Sequence, residues 1–140
     1  MSGFSVRAAS PDDVDALLAL WLVAAENAGR PTDNREVVDA LLARDAEALL
    51  IAEEDGELIG SIVAGWDGWR AHLYRLAVHP DRRRRGVGHA LLEAAETRLK
   101  NLGARRFDAM VLDDNQLGHQ MWRAAGYRRQ DDWARWVKTA

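Results

Sequence analysis

Cysteine is absent from the 140 residues of this chain, so disulfides and cysteine-based zinc sites are excluded. A chain without cysteine suits a reducing compartment, and we expect a cytoplasmic location. Long apolar runs are also missing: the longest, residues 16–25, contains ten residues and is too short to cross a bilayer. Residues 1–5 show no basic segment followed by an apolar one, so no secretory signal is visible.

An excess of positive charge is lacking as well, because 22 acidic residues outnumber 19 basic ones and the formal net charge is −3. This balance argues against general nucleic-acid binding. Four arginines nevertheless stand together at residues 82–85. A local basic patch on a mildly acidic chain favours a small anionic ligand, so we expect neither a nucleic-acid nor a membrane partner. RNA binding by the arginines is the weakest alternative, which a steep salt dependence would reveal.

The hydrophobic pattern predicts a single mixed α/β domain over residues 1–140, with elements in the order β-α-α-β-β-β-α-β-α-β(-β). The last strands form a terminal hairpin in this prediction. The predicted strands are residues 4–8, 48–53, 58–66, 70–78 and 105–112, with the hairpin over residues 127–137, and the later helices cover residues 86–102 and 117–125.

Short sequence motifs predict the ends of the first two helices and the first hairpin turn. Residues 10–13 combine an N-cap serine, a proline and an aspartate in the pattern that starts a helix, and Gly29-Arg30-Pro31 ends that helix. Asp33 with Glu36 repeats the capping pattern for a second helix. Asp55-Gly56, between two apolar runs, predicts a tight β-hairpin.

The basic run leads into Gly86-Val87-Gly88, between a predicted strand and a predicted helix. Unpaired N–H groups in the first turn of a helix attract anions, and glycines let a phosphate approach the backbone. Residues 83–89 are therefore a candidate site for a phosphorylated ligand. A dinucleotide-binding fingerprint is excluded because Leu91 stands where a third glycine is needed, and no Walker A Gly-Lys-Ser/Thr occurs. The alternative is a solvated arginine run, although arginines oppose the dipole of a helix start unless an anion is bound.

Two sequence blocks resemble the GCN5-related N-acetyltransferase (GNAT) superfamily. The first, Val78-x-Pro80-x-x-Arg83-x-x-Gly86-x-Gly88, is similar to the acyl-CoA signature of that family, in which Arg or Gln opens an R/Q-x-x-G-x-G/A loop. The second, Asn115 followed by Trp122 and Gly126-Tyr127, is similar to its N-x6-Y-x3-G-F/Y block. The element order matches along the whole chain, and residues 60–88 resemble small bacterial acetyltransferases of the YpeA type.

The resemblance implies a six- to seven-stranded, mixed and largely antiparallel sheet, flanked by about four helices and splayed at the cofactor cleft. It also implies acetyl-CoA as cosubstrate, no metal, a primary amine as acceptor, and the homodimer that is common in the family. The acceptor would be a protein N-terminus, a lysine or a small-molecule amine. The residues that the resemblance assigns to the cofactor are Leu76, Ala77 and Val78 on the strand, Arg83, Arg84, Arg85, Gly86, Val87, Gly88 and His89 in the loop, and Asn115 and Trp122.

Candidate catalytic residues lie on the strand that enters the loop. His72 and Tyr74 share a face by the two-residue period. In the histone-acetylating branch of the resembled family a glutamate base precedes the loop's opening residue by eleven positions, which corresponds to His72. An imidazole can deprotonate an ammonium near neutral pH, whereas the alternative is a half-exposed strand histidine. The backbone N–H of Val78 would stabilise the oxyanion.

Two positions depart from the resembled family. Trp122 stands where the family has a tyrosine acid, and Met110 stands where members that acetylate protein N-termini often carry a glutamate. An indole cannot deliver a proton near neutral pH, although a thiolate leaving group with a pKa near 8.5 hardly needs an acid. The alternative function is therefore an acyl-CoA-binding module with weak or no transfer activity.

Asp67, Trp66 and Trp69 are candidate substrate-binding residues at a predicted turn. The carboxylate would attract a cationic amine, together with Glu53 and Glu54, and the tryptophans would wall a cleft or a dimer interface. The alternative is that these acids serve turns and strand ends.

Overall fold

The computed structural model describes residues 3–24 and 33–140. The chain divides into two units, residues 1–110 and residues 111–140. In the first unit the elements are β1 (Ser5–Ala8), α1 (Val14–Ala24), α2 (Arg35–Arg44), β2 (Leu49–Glu54), β3 (Glu57–Trp66), β4 (Ala71–Val78), α3 (Val87–Leu102) and β5 (Phe107–Ala109). Short 3-10 turns precede α1 (Pro11–Asp13) and α3 (Pro80–Arg82), and the second unit contains α4 (Gln116–Ala124).

The strands form one sheet in chain order, β1-β2-β3-β4-β5. Neighbouring strands run antiparallel except for β4 and β5, which are parallel. At the β2–β3 turn, Asp55 has φ 52° and Gly56 has φ 81°, the pair of positive angles that a type I′ hairpin requires. The hairpin predicted from Asp55-Gly56 is thus confirmed, as is the mixed α/β class with four helices, but the sheet of the described residues has five strands instead of six or seven.

Helices cover both faces of the sheet. On one face, Leu17 and Trp21 of α1 belong to a buried cluster with Val63 of β3 and side chains of α2. On the other face, α3 approaches so closely that a Cβ on Gly60 would lie 2.9 Å from Leu91 Cδ1. Because side chains alternate along β3, Gly60 faces α3 while Ser61 and Val63 face α1 and α2. No helix within residues 3–24 and 33–140 has the length and apolar character of a membrane-spanning segment.

The predicted start of the first helix is confirmed. The backbone N–H of Ser10 donates to Asp13 Oδ2 at 2.8 Å, and the N–H of Asp13 donates back to the carbonyl of Ser10 at 2.9 Å. At α2 the cap is one residue later than predicted: Asn34 Oδ1 accepts from the N–H of Val37 at 3.0 Å, because the Asp33 carboxylate pairs with an arginine instead. The predicted helix end at Gly29-Arg30-Pro31 lies outside the described residues.

The predicted terminal hairpin is wrong. Residues 127–140 contain no strand, and every residue from 128 onward is exposed. Residues 128–132 are all polar, so this segment offers no alternating apolar face that could join a sheet. Arg129 instead pairs with Asp131 at 2.7 Å and with Asp113 at 2.9 Å.

Candidate active site

The turn between β4 and α3 exposes backbone donors. Arg84 has φ 64° and Gly86 has φ 82°, so the chain passes twice through the left-handed region before α3 begins at Val87. The N–H of Ala90 donates to the carbonyl of Gly86 at 3.0 Å, which is the first bond of the helix. The N–H groups of residues 87–89 precede that bond and are not used by the helix, which is the arrangement that an anion site would need.

The four arginines of the loop divide into two pairs. Arg85 Nη1 donates to Glu54 Oε1 at 3.0 Å, and Arg82 Nη2 donates to Glu57 Oε2 at 2.9 Å, so both bind the β2–β3 hairpin. Arg83 and Arg84 are exposed and form no ion pair with any residue in the described part of the chain. The second pair is therefore the one with charge available to a phosphate.

The two acids at the end of β2, which the sequence suggested as acceptor-binding groups, are both in contact with arginines. The hydrogen bond from Arg85, together with the charges of Arg85 and Arg82, holds the pKa of Glu54 below its usual range. Glu54 in turn raises the pKa of Arg85. Glu53 Oε1 accepts from Arg7 Nε at 3.0 Å. The Glu54 carboxylate thus stays ionised against its two arginines at neutral pH.

The backbone of β4 presents an open edge beside this turn. The N–H of His79 donates to the carbonyl of Ile59 at 2.8 Å, and Val78 is aligned with Gly60. In an antiparallel pair the backbone groups alternate in direction, so the N–H and C=O of Val78 face away from β3, and those of Leu76 follow the same alternation.

On that outward side, β5 pairs with β4 only from Ala71 to Leu73. Within the described residues of the first unit, no strand pairs with β4 at residues 76–78 on this side. The open edge also adjoins the helix start, because a Cβ on Gly88 would lie 3.7 Å from Val78 Cγ2. The first turn of α3 therefore lies beside the end of β4, next to its open edge.

His72 and Tyr74 share a face of β4, as predicted, and their ring centroids are 6.0 Å apart. His72 is aligned with Gly65 of β3 and with Asp108 of β5. The ring of Tyr74 lies over Gly65, where its Cε2 atom is 3.5 Å from the position of a Cβ. Because Tyr74 is also aligned with Val63, both rings lie on the sheet face that α1 and α2 cover.

The predicted substrate residues at the β3–β4 turn have local roles. Asp67 Oδ1 accepts from the N–H of Arg70 at 2.6 Å and from that of Trp69 at 2.8 Å, and these bonds lower the pKa of Asp67. The Asp67 carboxylate therefore closes the turn, which is the alternative raised above. Trp69 is 77% exposed with the Arg70 guanidinium 4.7 Å from its ring centroid, whereas Trp66 is half-buried.

In the second unit, Asn115 caps α4, since its Oδ1 atom accepts from the N–H of Gly118 at 2.9 Å. The ring of Trp122 packs edge-on against Tyr127, with 4.9 Å between centroids. Tyr127 thus packs against α4, and no strand follows it. The cofactor roles of Asn115 and Trp122 stay predictions.

Sequence reasoning missed four residues around the middle of β4. Trp21, Asp33 and Ser61 all contact Arg75, directly or through one another. In the sequence each of them looks like an ordinary helix, cap or strand residue, and only the folding of the chain brings them together. The contacts of Glu54 and Glu57 could have been predicted from the sequence, because acidic residues on a hairpin can form ion pairs with a nearby arginine run.

The fold is shared with solved acetyltransferases. An aminoglycoside N-acetyltransferase AAC(6')-Iy in complex with CoA superposes with a TM-score of 0.78 at 21% identity, covering 100% of this chain and 97% of that one. The ribosomal-protein-S18-alanine N-acetyltransferase of Escherichia coli superposes with a TM-score of 0.70 at 18% identity, covering 89% and 77%. These two neighbours act on different acceptors, so the shared fold does not select one.

Sequence comparison is more specific. Residues 14–127 match the model of the acetyltransferase (GNAT) family. A protein named acetyltransferase from Yersinia pestis (strain Pestoides F) is 34% identical over 129 residues, which are 90% of this chain and 89% of the relative. The chain belongs to the GNAT acetyltransferase family and is an acetyl-transfer enzyme.

Proposed function

We propose that this protein transfers an acetyl group from acetyl-CoA to a primary amine of a protein N-terminus, a lysine or a small molecule. The observation that carries the proposal is the junction between the open edge of β4 and the start of α3. An extended arm containing amides can add to an unpaired strand edge, and a diphosphate can accept from unused helix N–H groups. The CoA molecule has these two parts in that order, and the solved neighbour described above is a complex with CoA.

The residues present fit such a ligand. The N–H groups of residues 87–89, with Arg83 and Arg84, would hold the diphosphate. The outward backbone groups of Leu76 and Val78 would pair with the pantetheine amides, while buried Ala77 packs beneath them. Arg85 would support the loop through Glu54. By sequence resemblance alone, Asn115 and Trp122 would lie beside the thioester.

The thioester supplies an activated acetyl group. The deprotonated amine nitrogen would form a bond to the carbonyl carbon, the carbon–sulfur bond would break, and sulfur would leave with the electron pair as a thiolate. The nitrogen, positively charged after the attack, would lose its extra proton to the thiolate or to water and so become the amide. An N–H on the open edge would donate to the carbonyl oxygen as negative charge develops there. A thiolate with a pKa near 8.5 leaves without an acid, so a tryptophan at position 122 is compatible with turnover. A cysteinyl acyl-enzyme is excluded by composition.

The length of β4 constrains the catalytic residues. His72 and Val78 are aligned with Gly65 and Gly60, which are five positions apart on β3, or about 17 Å at about 3.3 Å per residue. A general base must reach the amine directly or through one water, so His72 and the N–H of Val78 cannot both serve one reacting centre. If His72 is the base, the N–H of Leu76 is the better placed oxyanion donor. Tyr74, which is 46% exposed between them, is the second candidate for moving the proton.

The proposal is tested by following free thiol release from acetyl-CoA with a panel of peptide, polyamine, aminoglycoside and amino-acid amines. We expect amine-dependent release that saturates with both substrates. Release that is independent of every amine would contradict transfer to an amine.

A second function is a CoA-binding module with weak or no transfer. The observation that favours it is the packing of Trp122 against Tyr127, which places no proton donor of suitable acidity where the family has a tyrosine. Micromolar or tighter CoA binding in calorimetry, without turnover on any member of the panel, would favour this module over the enzyme.

A further inference from the structure

A bulge interrupts β4 just before its open edge. Val63 is aligned with Tyr74 but Ser61 with Ala77, so β4 has one residue more than β3 over this stretch. Arg75 lies in the bulge with φ 50°, in the left-handed region that residues other than glycine rarely adopt. Such a conformation persists only where the surroundings hold it.

Side chains from three other segments hold Arg75. The Ser61 hydroxyl donates to the carbonyl oxygen of Arg75 at 2.8 Å, and Trp21 Nε1–H donates to the Ser61 hydroxyl at 2.8 Å. The Arg75 guanidinium lies 5.2 Å from the centroid of the Trp21 ring and forms an ion pair with Asp33. Ser61 is fully buried and the side chain of Arg75 is 7% exposed, whereas that of Asp33 is 25% exposed, so water has little access to these contacts from the arginine side.

A buried ion pair is a poor source of stability, because desolvation offsets most of the attraction and apolar side chains of similar volume do as well or better. The Arg75–Asp33 pair is better explained by the geometry that it fixes. Arg75 immediately precedes Leu76, the first residue whose backbone groups face the open edge. Any rotation at the bulge therefore changes the direction of every donor that follows it on β4.

We propose that Arg75 and Asp33 are positioning residues: with Ser61 and Trp21 they fix the bulge, and the bulge aims the backbone groups of residues 76–78 at acetyl-CoA. This inference rests on the proposed function. It also explains two contacts with β4: Trp21 of α1 and Asp33 of the segment before α2 both contact Arg75. A misplacement of about 1 Å from a mutation remote from the chemistry can cost about a hundredfold in rate.

Three variants separate the side chains from the backbone. Asp33→Asn removes the charge and keeps the shape. Arg75→Gly removes the guanidinium while allowing φ 50° without strain, and Arg75→Lys keeps a charge but loses the planar fork. The matched control is Asp15→Asn, because Asp15 pairs with Arg35 at 2.6 Å on the surface of the same two helices and is 85% exposed. Each variant is compared by amide NMR shifts of residues 75–79 without ligand, by CoA calorimetry, and by kcat and KM.

We expect Asp33→Asn and Arg75→Gly to shift these amide signals and to lower kcat by about ten- to a hundredfold. Arg75→Lys should lose less, and Asp15→Asn should match the wild type. The inference is overturned if Asp33→Asn and Arg75→Gly keep wild-type amide signals and turnover. It is also overturned if these variants only melt at a lower temperature while kcat per folded molecule is unchanged.

Failure of the proposed function gives a different result. If the wild-type protein does not bind CoA in calorimetry, the proposed ligand is wrong. The inference that the bulge aims backbone groups at this ligand is then wrong as well. A wild-type protein that binds CoA and turns over, alongside unaffected Asp33 and Arg75 variants, rejects the positioning residues alone.

Discussion

Glu54 at the end of β2 binds Arg85 in the loop that precedes α3, with Oε1 of the carboxylate 3.0 Å from Nη1 of the guanidinium. The same carboxylate oxygen lies 3.3 Å from Arg82 Nε, and the side chain of Glu54 is 6% exposed. A carboxylate held by two guanidinium groups is fixed in place and fixes them in return. The loop is therefore tied to the β2–β3 hairpin at both ends of its arginine run, while Arg83 and Arg84 lie between the two ties.

The Glu54→Gln change tests this anchoring. Removing the charge frees Arg85 from the hairpin and leaves Arg82 held there by Glu57 alone, so we expect KM for acetyl-CoA to rise several-fold with little change in kcat. Steady-state kinetics at fixed saturating amine measures both constants. Glu57→Gln is the matched control, because it also removes one negative charge from the hairpin but leaves the Glu54–Arg85 pair intact. Tighter CoA binding by Glu54→Gln would mean that the carboxylate only competes with the diphosphate.

The two glycines of the loop should differ in tolerance. Gly86 has φ 82°, where a side chain costs about 1–3 kcal/mol of strain. Gly88 has no such angle, and a Cβ there would meet only Val78 Cγ2 at an ordinary 3.7 Å. We expect Gly86→Ala to weaken CoA binding about tenfold and Gly86→Val to abolish it, while Gly88→Ala binds nearly as the wild type does. Calorimetric titration with CoA checks all three, and equal affinities for Gly86→Ala and Gly88→Ala would reject the loop assignment.

Local signals predicted most of the fold because they act within a few residues. The Asp55-Gly56 hairpin, the Ser10–Asp13 cap and the helix start after Gly86 all depend on backbone angles or bonds between near neighbours. The hairpin predicted over residues 127–137 includes five consecutive polar residues, 128–132, and this stretch forms no strand.

The site was predicted less completely, because its supporting contacts join distant parts of the chain. The ion pair between Glu54 and Arg85 spans 31 positions and that between Asp33 and Arg75 spans 42. Arg75 is neither glycine nor asparagine, so its residue type gives no signal of a bulge. The turn before α3 and its unused N–H groups could be predicted from the sequence because they depend on consecutive backbone groups, and their role in anion binding stays a prediction.

Acid should weaken the first unit through Asp13. Two bonds from Arg7, at 2.9 and 3.0 Å, hold the pKa of Asp13 below its ordinary value of 3.8, helped by the N–H of Ser10. The folded state therefore binds this proton less readily than the unfolded state, so the stabilisation is present above pH 3.8 and is lost as pH falls through the lowered pKa. We expect Asp13→Asn to lower the unfolding free energy by ~1 kcal/mol at neutral pH, a typical value for a helix cap.

Thermal unfolding as a function of pH measures this difference. The gap between wild type and Asp13→Asn should shrink below pH 3.8, and Asp12→Asn, an exposed neighbour in the same turn, should follow the wild type throughout. A gap that stays constant down to strong acid would show that the Asp13 carboxylate contributes nothing through its charge.

The proton acceptor on β4 can be assigned by comparing His72→Ala with Tyr74→Phe. The two rings share a face with 6.0 Å between centroids, so either can lie on the route of a proton leaving the amine. General-base catalysis contributes about 10²–10⁴-fold, and we expect His72→Ala to lose kcat in that range while CoA affinity, set by the loop and the strand edge, stays near the wild-type value. Tyr74→Phe keeps the ring over Gly65 and should retain most of the rate. If instead only Tyr74→Phe lowers the rate, Tyr74 is the proton acceptor and the reacting amine lies nearer to the bulge.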